Sequence, residues 1–295
     1  MASTLSSTEH WSGEDVTVSE IERQLPNLRA AASRPEDPPN LRTSVMTHIA
    51  WVPPDWLEQA RATLAGMAER HPSRTLLLVP YADDPADRID AHAYLQTFRL
   101  REMQRSVSTE VVELHLRGAT AAVPASVVEP LLVTDLPAFL RWRGRPPWGA
   151  PEFEQLVTVA DRLIVDSTEW RDLPADYRYL AAVFPRIAVS DIAWARTGRW
   201  RSLLASLWPG IAEIETIRVR GTAAQAHLLA GWLRSRMGRE IAMEHVPAER
   251  LEGIDLDGEP TPFPAGNPPS ASDLLSDELE RYSRDPVYEA AVTAT

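Results

Sequence analysis

Neither cysteine nor lysine occurs in the 295-residue sequence. The first absence excludes disulfides, thiol nucleophiles, iron–sulfur ligation, cysteine zinc sites and a redox switch on this chain. The second excludes Schiff-base chemistry and a Walker-type phosphate loop, and it leaves arginine as the only permanently cationic side chain. No apolar run approaches the roughly 18 residues needed to span a bilayer. The start, Met1 to His10, lacks the basic and apolar regions of a secretory signal, so a cytoplasmic location is expected. A formal net charge of -12 repels phosphate over the surface as a whole, so neither nucleic acid nor a membrane is an expected partner.

Chemical signatures are also sparse. There is no Gly-x-Gly-x-x-Gly after any strand-like run and no Gly-x-Ser-x-Gly elbow. His10, His48, His71, His92, His115, His227 and His245 never stand two or four apart, the spacings that aim two imidazoles at one metal. No motif here assigns a cofactor, a metal or a catalytic residue.

What is present is an ordinary globular composition, 44% hydrophobic and 24% charged, long enough for one large domain or two smaller ones. Residues 1–40 read as an N-terminal arm and linker: a polar start, a helix beginning at Thr17, where Thr17 and Glu20 have capping-box spacing, and a Pro-rich end from Arg34 to Pro39. Residues 41–150 read as a first α/β domain. Ser44–Val52 has the pattern of a strand, Asp55–Arg70 of a helix, and Thr75–Val79 of a strand covered on both faces. His92–Leu116 alternates as a strand pair, and Leu131–Val133 is a further short apolar run taken as a strand.

Residues 151–248 read as a second α/β domain, with strands at Arg162–Val165, Ile187–Val189 and Ile214–Val219 and a helix over Ala223–Met237 stopped by Gly238. Residues 249–295 read as a Pro-rich linker unable to form a packed element, then a helical tail in which Ser272 caps Asp273–Tyr282 and Asp285-Pro286 starts another turn. The fold class expected is α/β: mostly parallel, helix-covered sheet, with an N-terminal helical arm and a C-terminal helical tail.

Three acids, Asp135, Asp166 and Asp191, fall at or just after predicted strand ends, where open α/β sheets place ligands. Convergence on a metal or a base role is one reading; capping the following helix or ordering a loop is the other. Tryptophan and arginine cluster twice, at Arg141-Trp142-Arg143-Gly144-Arg145-Pro146-Pro147-Trp148 and at Trp194-Ala195-Arg196-Thr197-Gly198-Arg199-Trp200-Arg201. These residue types are enriched at interface hot spots, and they also make anion or sugar sites. Core tryptophans with arginines reaching to water suit the second cluster better than the first, which we expect on an exposed Gly/Pro-rich loop.

The first cluster with Thr134-Asp135-Leu136-Pro137 ahead of it resembles the bacterial glucose-6-phosphate dehydrogenase assembly protein family, OpcA. So do His71-Pro72-Ser73-Arg74, Ala160–Ser167, Ser190–Arg196 with Trp200-Arg201, Leu228–Leu233, and the tail from Leu274 to Glu289. The resemblance covers most of residues 41–295 and implies a non-catalytic subunit that binds glucose-6-phosphate dehydrogenase and promotes its assembly or activity in the oxidative pentose phosphate pathway. Read with the clusters, it points to Trp142, Arg143, Arg145, Trp148, Asp191, Trp194, Arg196, Trp200 and Arg201 as partner-binding residues. The alternative is a sugar-phosphate or nucleotide-sugar binder or enzyme using Asp and Arg at strand ends.

Overall fold

A computed structural model describes residues 3–32, 40–41, 44–65, 67, 73–100 and 105–295. The Pro-rich stretch Arg34–Pro39, the end of the expected helix at 68–70, and His71-Pro72 lie outside the described residues. The chain forms two units, Met1–Leu163 and Ile164–Thr295.

Unit 1 comprises β1 (Ser3–Gly13), α1 (Val18–Ala32), β2 (Asn40–Leu41), β3 (Thr47–Trp51), α2 (Leu57–Ala65), β4 (Arg74–Tyr81), β5 (Arg88–Leu100), β6 (Arg105–Arg117), α3 (Pro124–Val128), β7 (Ala138–Trp142) and α4 (Pro151–Val159). The unbroken run Leu76-Leu77-Leu78-Val79 is fully buried because β4 lies between two parallel neighbours, β3 and β6. On the far side of β3, β7 continues the parallel pairing, whereas β5 and β1 are antiparallel additions beyond β6. α2 covers one face of this sheet, its Leu57, Ala60 and Leu64 packing on Ala50, Val52, Leu77 and Val79. α1 starts at the expected capping box, with the Thr17 amide donating to Glu20 at 2.8 Å. Arg29 near its end pairs with Glu110 of β6, which Arg74 of β4 also holds at 2.9 Å.

β8 (Arg162–Val165) runs across the boundary into unit 2, which continues with α5 (Ala175–Val183), β9 (Ala188–Asp191), α6 (Ile192–Arg196), α7 (Gly198–Ser206), β10 (Thr216–Gly221), α8 (Ala223–Met237), β11 (Ala242–Pro247), β12 (Gly253–Leu256), β13 (Glu259–Pro260), α9 (Ala271–Leu279) and α10 (Pro286–Thr293). Four of these strands form a second sheet in the order β11-β10-β12-β13, with β10 and β11 parallel. α8 has a full capping box, Thr222 with Gln225, and ends where Gly238 takes φ 64°. α10 crosses α8 at Gly231, where a β-carbon would stand 2.2 Å from the Ala291 carbonyl. Among the described residues no helix is long and apolar enough to cross a membrane.

The α/β class with mostly parallel pairing and helical termini is as expected, and four details differ. The polar start is not only an arm, since Ser3–Gly13 forms β1 against β5. Leu131 ends a 3-10 turn, Glu129–Leu131, with Pro130 inside it, and the strand comes later at Ala138–Trp142. Residues 253–260, read as linker, form the β12–β13 hairpin, because Asp257-Gly258 supplies two positive φ angles, 49° and 87°. The cap of α9 is Ser270, not Ser272, with Asp273 as its reciprocal partner.

Candidate functional site

In unit 1 the parallel register sets Trp142, the last residue of β7, beside Trp51, the last of β3. The two indoles stack with centroids 4.9 Å apart, and Phe153 of α4 meets Trp142 edge-on at 5.2 Å. Trp142 is 2% exposed. The expectation of an exposed Trp142 on a loop is therefore corrected: β7 extends through it, and a stacked aromatic triad holds it in the core.

The loop that follows does reach the surface. It turns at Gly144 and Gly149, with φ of 78° and 77°, so the chain folds back around Arg145-Pro146-Pro147-Trp148. The Trp148 amide donates to Pro146 at 3.0 Å, and the ring rests edge-on against Phe153 at 5.5 Å, leaving the residue half-buried. Arg143 lies over the Trp56 ring at 4.8 Å and donates to Gln59 at 2.7 Å. Arg145 is exposed at the tip. These contacts fasten the loop at Arg143 and Trp148. Asp135, with φ 66°, sits exposed in a turn of the same unit, before β7.

In unit 2 the structure brings Asp166 and Asp191 together at the ends of β8 and β9, and both are engaged. Asp166 caps the 3-10 turn Ser167–Glu169, accepts from Thr168 Oγ1 at 2.6 Å, and pairs with Arg196 at 2.8 Å. Asp191 caps α6 through the Ala193 amide at 2.8 Å. It also accepts from the Ser167 amide at 3.0 Å, Ser167 Oγ at 2.6 Å and the Tyr288 hydroxyl at 3.2 Å. Burial, reinforced by the Asp166 charge, pushes the Asp191 carboxyl up to about 6 against the lowering effect of its donors. These acids tie turns and the tail helix α10 together.

The second Trp/Arg cluster is packed inward. Trp194 is 2% exposed and donates its indole N–H to Asp285 at 3.0 Å. The Arg201 guanidinium lies 3.4 Å over the Trp194 ring and donates to Thr197 Oγ1 at 3.0 Å; burial brings it down to about 10, so it stays charged at neutral pH. Trp200, 6% exposed, contacts the Phe263 ring at 5.7 Å. Trp194 and Trp200 are interior residues, which fits the core reading of this cluster and leaves neither ring to a partner, because helices α6 and α7 turn them beneath α9, α10 and the Pro-rich strap of residues 261–269. Sequence reasoning passed over Trp208 and Phe263, which are 66% and 73% exposed. Proline on both sides of Phe263 and directly after Trp208 is the available signal, although it is a weak one, since Phe184 before Pro185 is buried.

A family model described as the glucose-6-phosphate dehydrogenase subunit N-terminal domain matches residues 65–182, and one described as the corresponding C-terminal domain matches residues 187–292. A protein of Nostoc punctiforme named as an OxPP cycle protein OpcA is 27% identical over 187 residues, covering 58% of this chain and 39% of the relative. Proteins of the same name from Synechocystis sp. and Synechococcus elongatus are 26% and 28% identical, over 58% and 42% of this chain and 38% and 30% of their own lengths. The chain spans about two fifths or less of the length of these relatives.

Proposed function

Because the chain belongs to the glucose-6-phosphate dehydrogenase subunit family, OpcA, we propose that it is a non-catalytic partner subunit that binds glucose-6-phosphate dehydrogenase and promotes its assembly or activity in the oxidative pentose phosphate pathway. The observation that carries this reading is the match of both consecutive subunit domains, in order, along one chain. The geometry supports it: Asp166 and Asp191, the strand-end acids that an enzyme would present to a substrate, are held by caps, hydroxyls and an arginine. The docking surface in this reading is the loop after β7, with Arg143, Arg145 and Trp148 facing the partner and Trp142 buried beneath as support. A half-buried tryptophan flanked by arginines on a pre-ordered loop is the composition of a hot spot.

The test is to mix the purified chain with the dehydrogenase of the same host at micromolar concentration, and to follow particle size and initial rate against glucose 6-phosphate. A larger species, or a lower substrate concentration for half-maximal rate, is expected. Unchanged size and kinetics would overturn the partner assignment, and steady NADP reduction by the isolated chain would overturn the non-catalytic one.

A further inference from the structure

Unit 2 contains a cavity of about 760 Å³ whose lining is out of character for so acidic a chain. Four arginines, Arg196, Arg199, Arg220 and Arg250, line it against one carboxylate, Glu252, although the net charge of the chain is -12. A concave surface with this excess of one sign focuses the field on an anion of opposite charge.

The four arginines differ in what already holds them. Arg196 pairs with Asp166 at 2.8 Å. Arg199 donates to the backbone carbonyls of Pro264, Ala265 and Gly266 and so fastens the Pro-rich strap that forms one wall. Arg220, at the end of β10, meets no carboxylate among the described residues, and Arg250 reaches Glu252 only at 4.0 Å with its side chain 83% exposed. Two guanidinium groups are therefore left to the cavity. A third donor comes from Gln225, 2% exposed and in the first turn of α8: its Oε1 accepts the Thr222 amide at 3.1 Å, which leaves its NH2 for the space it lines. The positive end of the 15-residue helix α8 adds to the same field.

The apolar part of the wall is aromatic, with Trp200 and Phe263 tilted at 60° and Phe263 largely uncovered. The volume falls within the range of sites for small organic ligands and far exceeds that of a bare oxyanion. We propose that this cavity binds a phosphate ester, its phosphoryl oxygens held by Arg220, Arg250 and the Gln225 amide and its organic portion lying against Phe263 and Trp200. Guanidinium groups suit this role because their paired N–H donors match phosphate oxygens. The site uses neither the loop after β7 nor the carboxyl of Asp191, and it stands independently of the dehydrogenase assignment.

The test is calorimetric titration of the full chain with inorganic phosphate, glucose 6-phosphate and AMP, with glucose and adenosine as uncharged controls. Saturable binding of at least one ester, tighter than inorganic phosphate and absent for its control, is expected, and the sugar and nucleotide arms distinguish the two ester types. Arg220→Ala with Arg250→Ala should weaken it at least about tenfold. The melting temperature should hold, since both side chains are exposed, and Arg220→Lys should recover only part of the affinity. No saturable ester binding up to millimolar concentration, inorganic phosphate binding as tightly as the esters, or binding unchanged in the double variant would overturn the site. If the double variant loses dehydrogenase binding while the wild type binds no ester, the arginines belong to a protein contact and the ligand site is wrong. If ester binding is found and the dehydrogenase mixing test is negative, only the partner reading fails.

Discussion

Gly231, in the middle of α8, faces the carbonyl of Ala291 in α10 so closely that a single added carbon would stand 2.2 Å from that oxygen. Gly→Ala in a helix interior normally gains up to about 1 kcal/mol. Here the sign reverses, because the obstacle is backbone and has no rotamer into which it can retreat. Gly231→Ala should cost roughly 1–3 kcal/mol, as overpacked positions do. Thermal unfolding measures the loss, and proteolysis should show α10 released first; an unchanged or raised melting temperature would show that the helices are not in this contact.

Trp142 and Trp148, six residues apart, should behave oppositely. Trp142→Ala removes one ring of the stack with Trp51 and Phe153 and should cost about 3–5 kcal/mol of stability, the usual result for a buried tryptophan. Trp148→Ala should leave the melting temperature within a few degrees and weaken dehydrogenase binding by roughly thirtyfold, the size of a 2 kcal/mol hot spot. Circular dichroism melts and a binding isotherm on both variants check this, and a Trp148→Ala protein that binds normally would remove the loop from the interface.

The acid response of unit 1 should be governed in part by Glu113. Burial works to raise its carboxyl, but hydrogen bonds from His115 at 2.6 Å and Arg61 at 2.6 Å prevail and bring it down to about 2. A folded value below the unfolded one means a stabilising contribution that is complete above about pH 4.5 and lost as pH falls toward 2. Glu113→Gln should lower stability at neutral pH and flatten the acid limb of the melting curve. An acid limb as steep as that of the wild type would count against the assignment.

Asp191 has the opposite sign. Its folded value, about 6, lies above the ordinary 3.8, so its contribution is most favourable when protonated and declines as pH rises through about 6. Hydrogen exchange at β9 and α6 should therefore speed up between pH 5 and 7 beyond the intrinsic chemical rate. In Asp191→Asn that excess should vanish, while exchange in β6 keeps the wild-type profile. An identical excess in the variant would show that another group is responsible.

How far the sequence carries such arguments depends on the element. The capping spacing at Thr17, the buried run of β4, the apolar face of Ala223–Met237 and its Gly238 stop are local signals, and each produced its element where the pattern put it. Leu131–Val133 misled because three apolar residues suit a buried turn as well as a strand, and Pro130 decides for the turn. β7 was obscured by its own Arg141 and Trp142, which look like the start of the Gly/Pro loop beyond them. Asp257-Gly258 is a hairpin signal, and the prolines that follow it make the segment read as linker. For the site, residue type located the loop after β7 and allowed a core role for Trp194 and Trp200, but burial of Trp142 depends on the stack with Trp51 and Phe153, which no local pattern reports. The arginine-lined cavity joins residues from α6, α7, β10 and the strap, so only the tertiary structure assembles it.

The pairing of β1 with β5 has a kinetic side. The register joins Gly13 to Ala91 and Ser3 to Leu100, so a ribosome releases β1 long before its partner strand exists. Until β5 has been made and has closed its own hairpin with β6, β1 has no native neighbour to hydrogen-bond, and it is open to strands of other nascent chains. Such long-range closure is a slow kind of contact to form. The polar residues Ser6, Ser7, Thr8 and Glu9 that disguise β1 as an arm are then the ones suited to keeping it in solution during that wait.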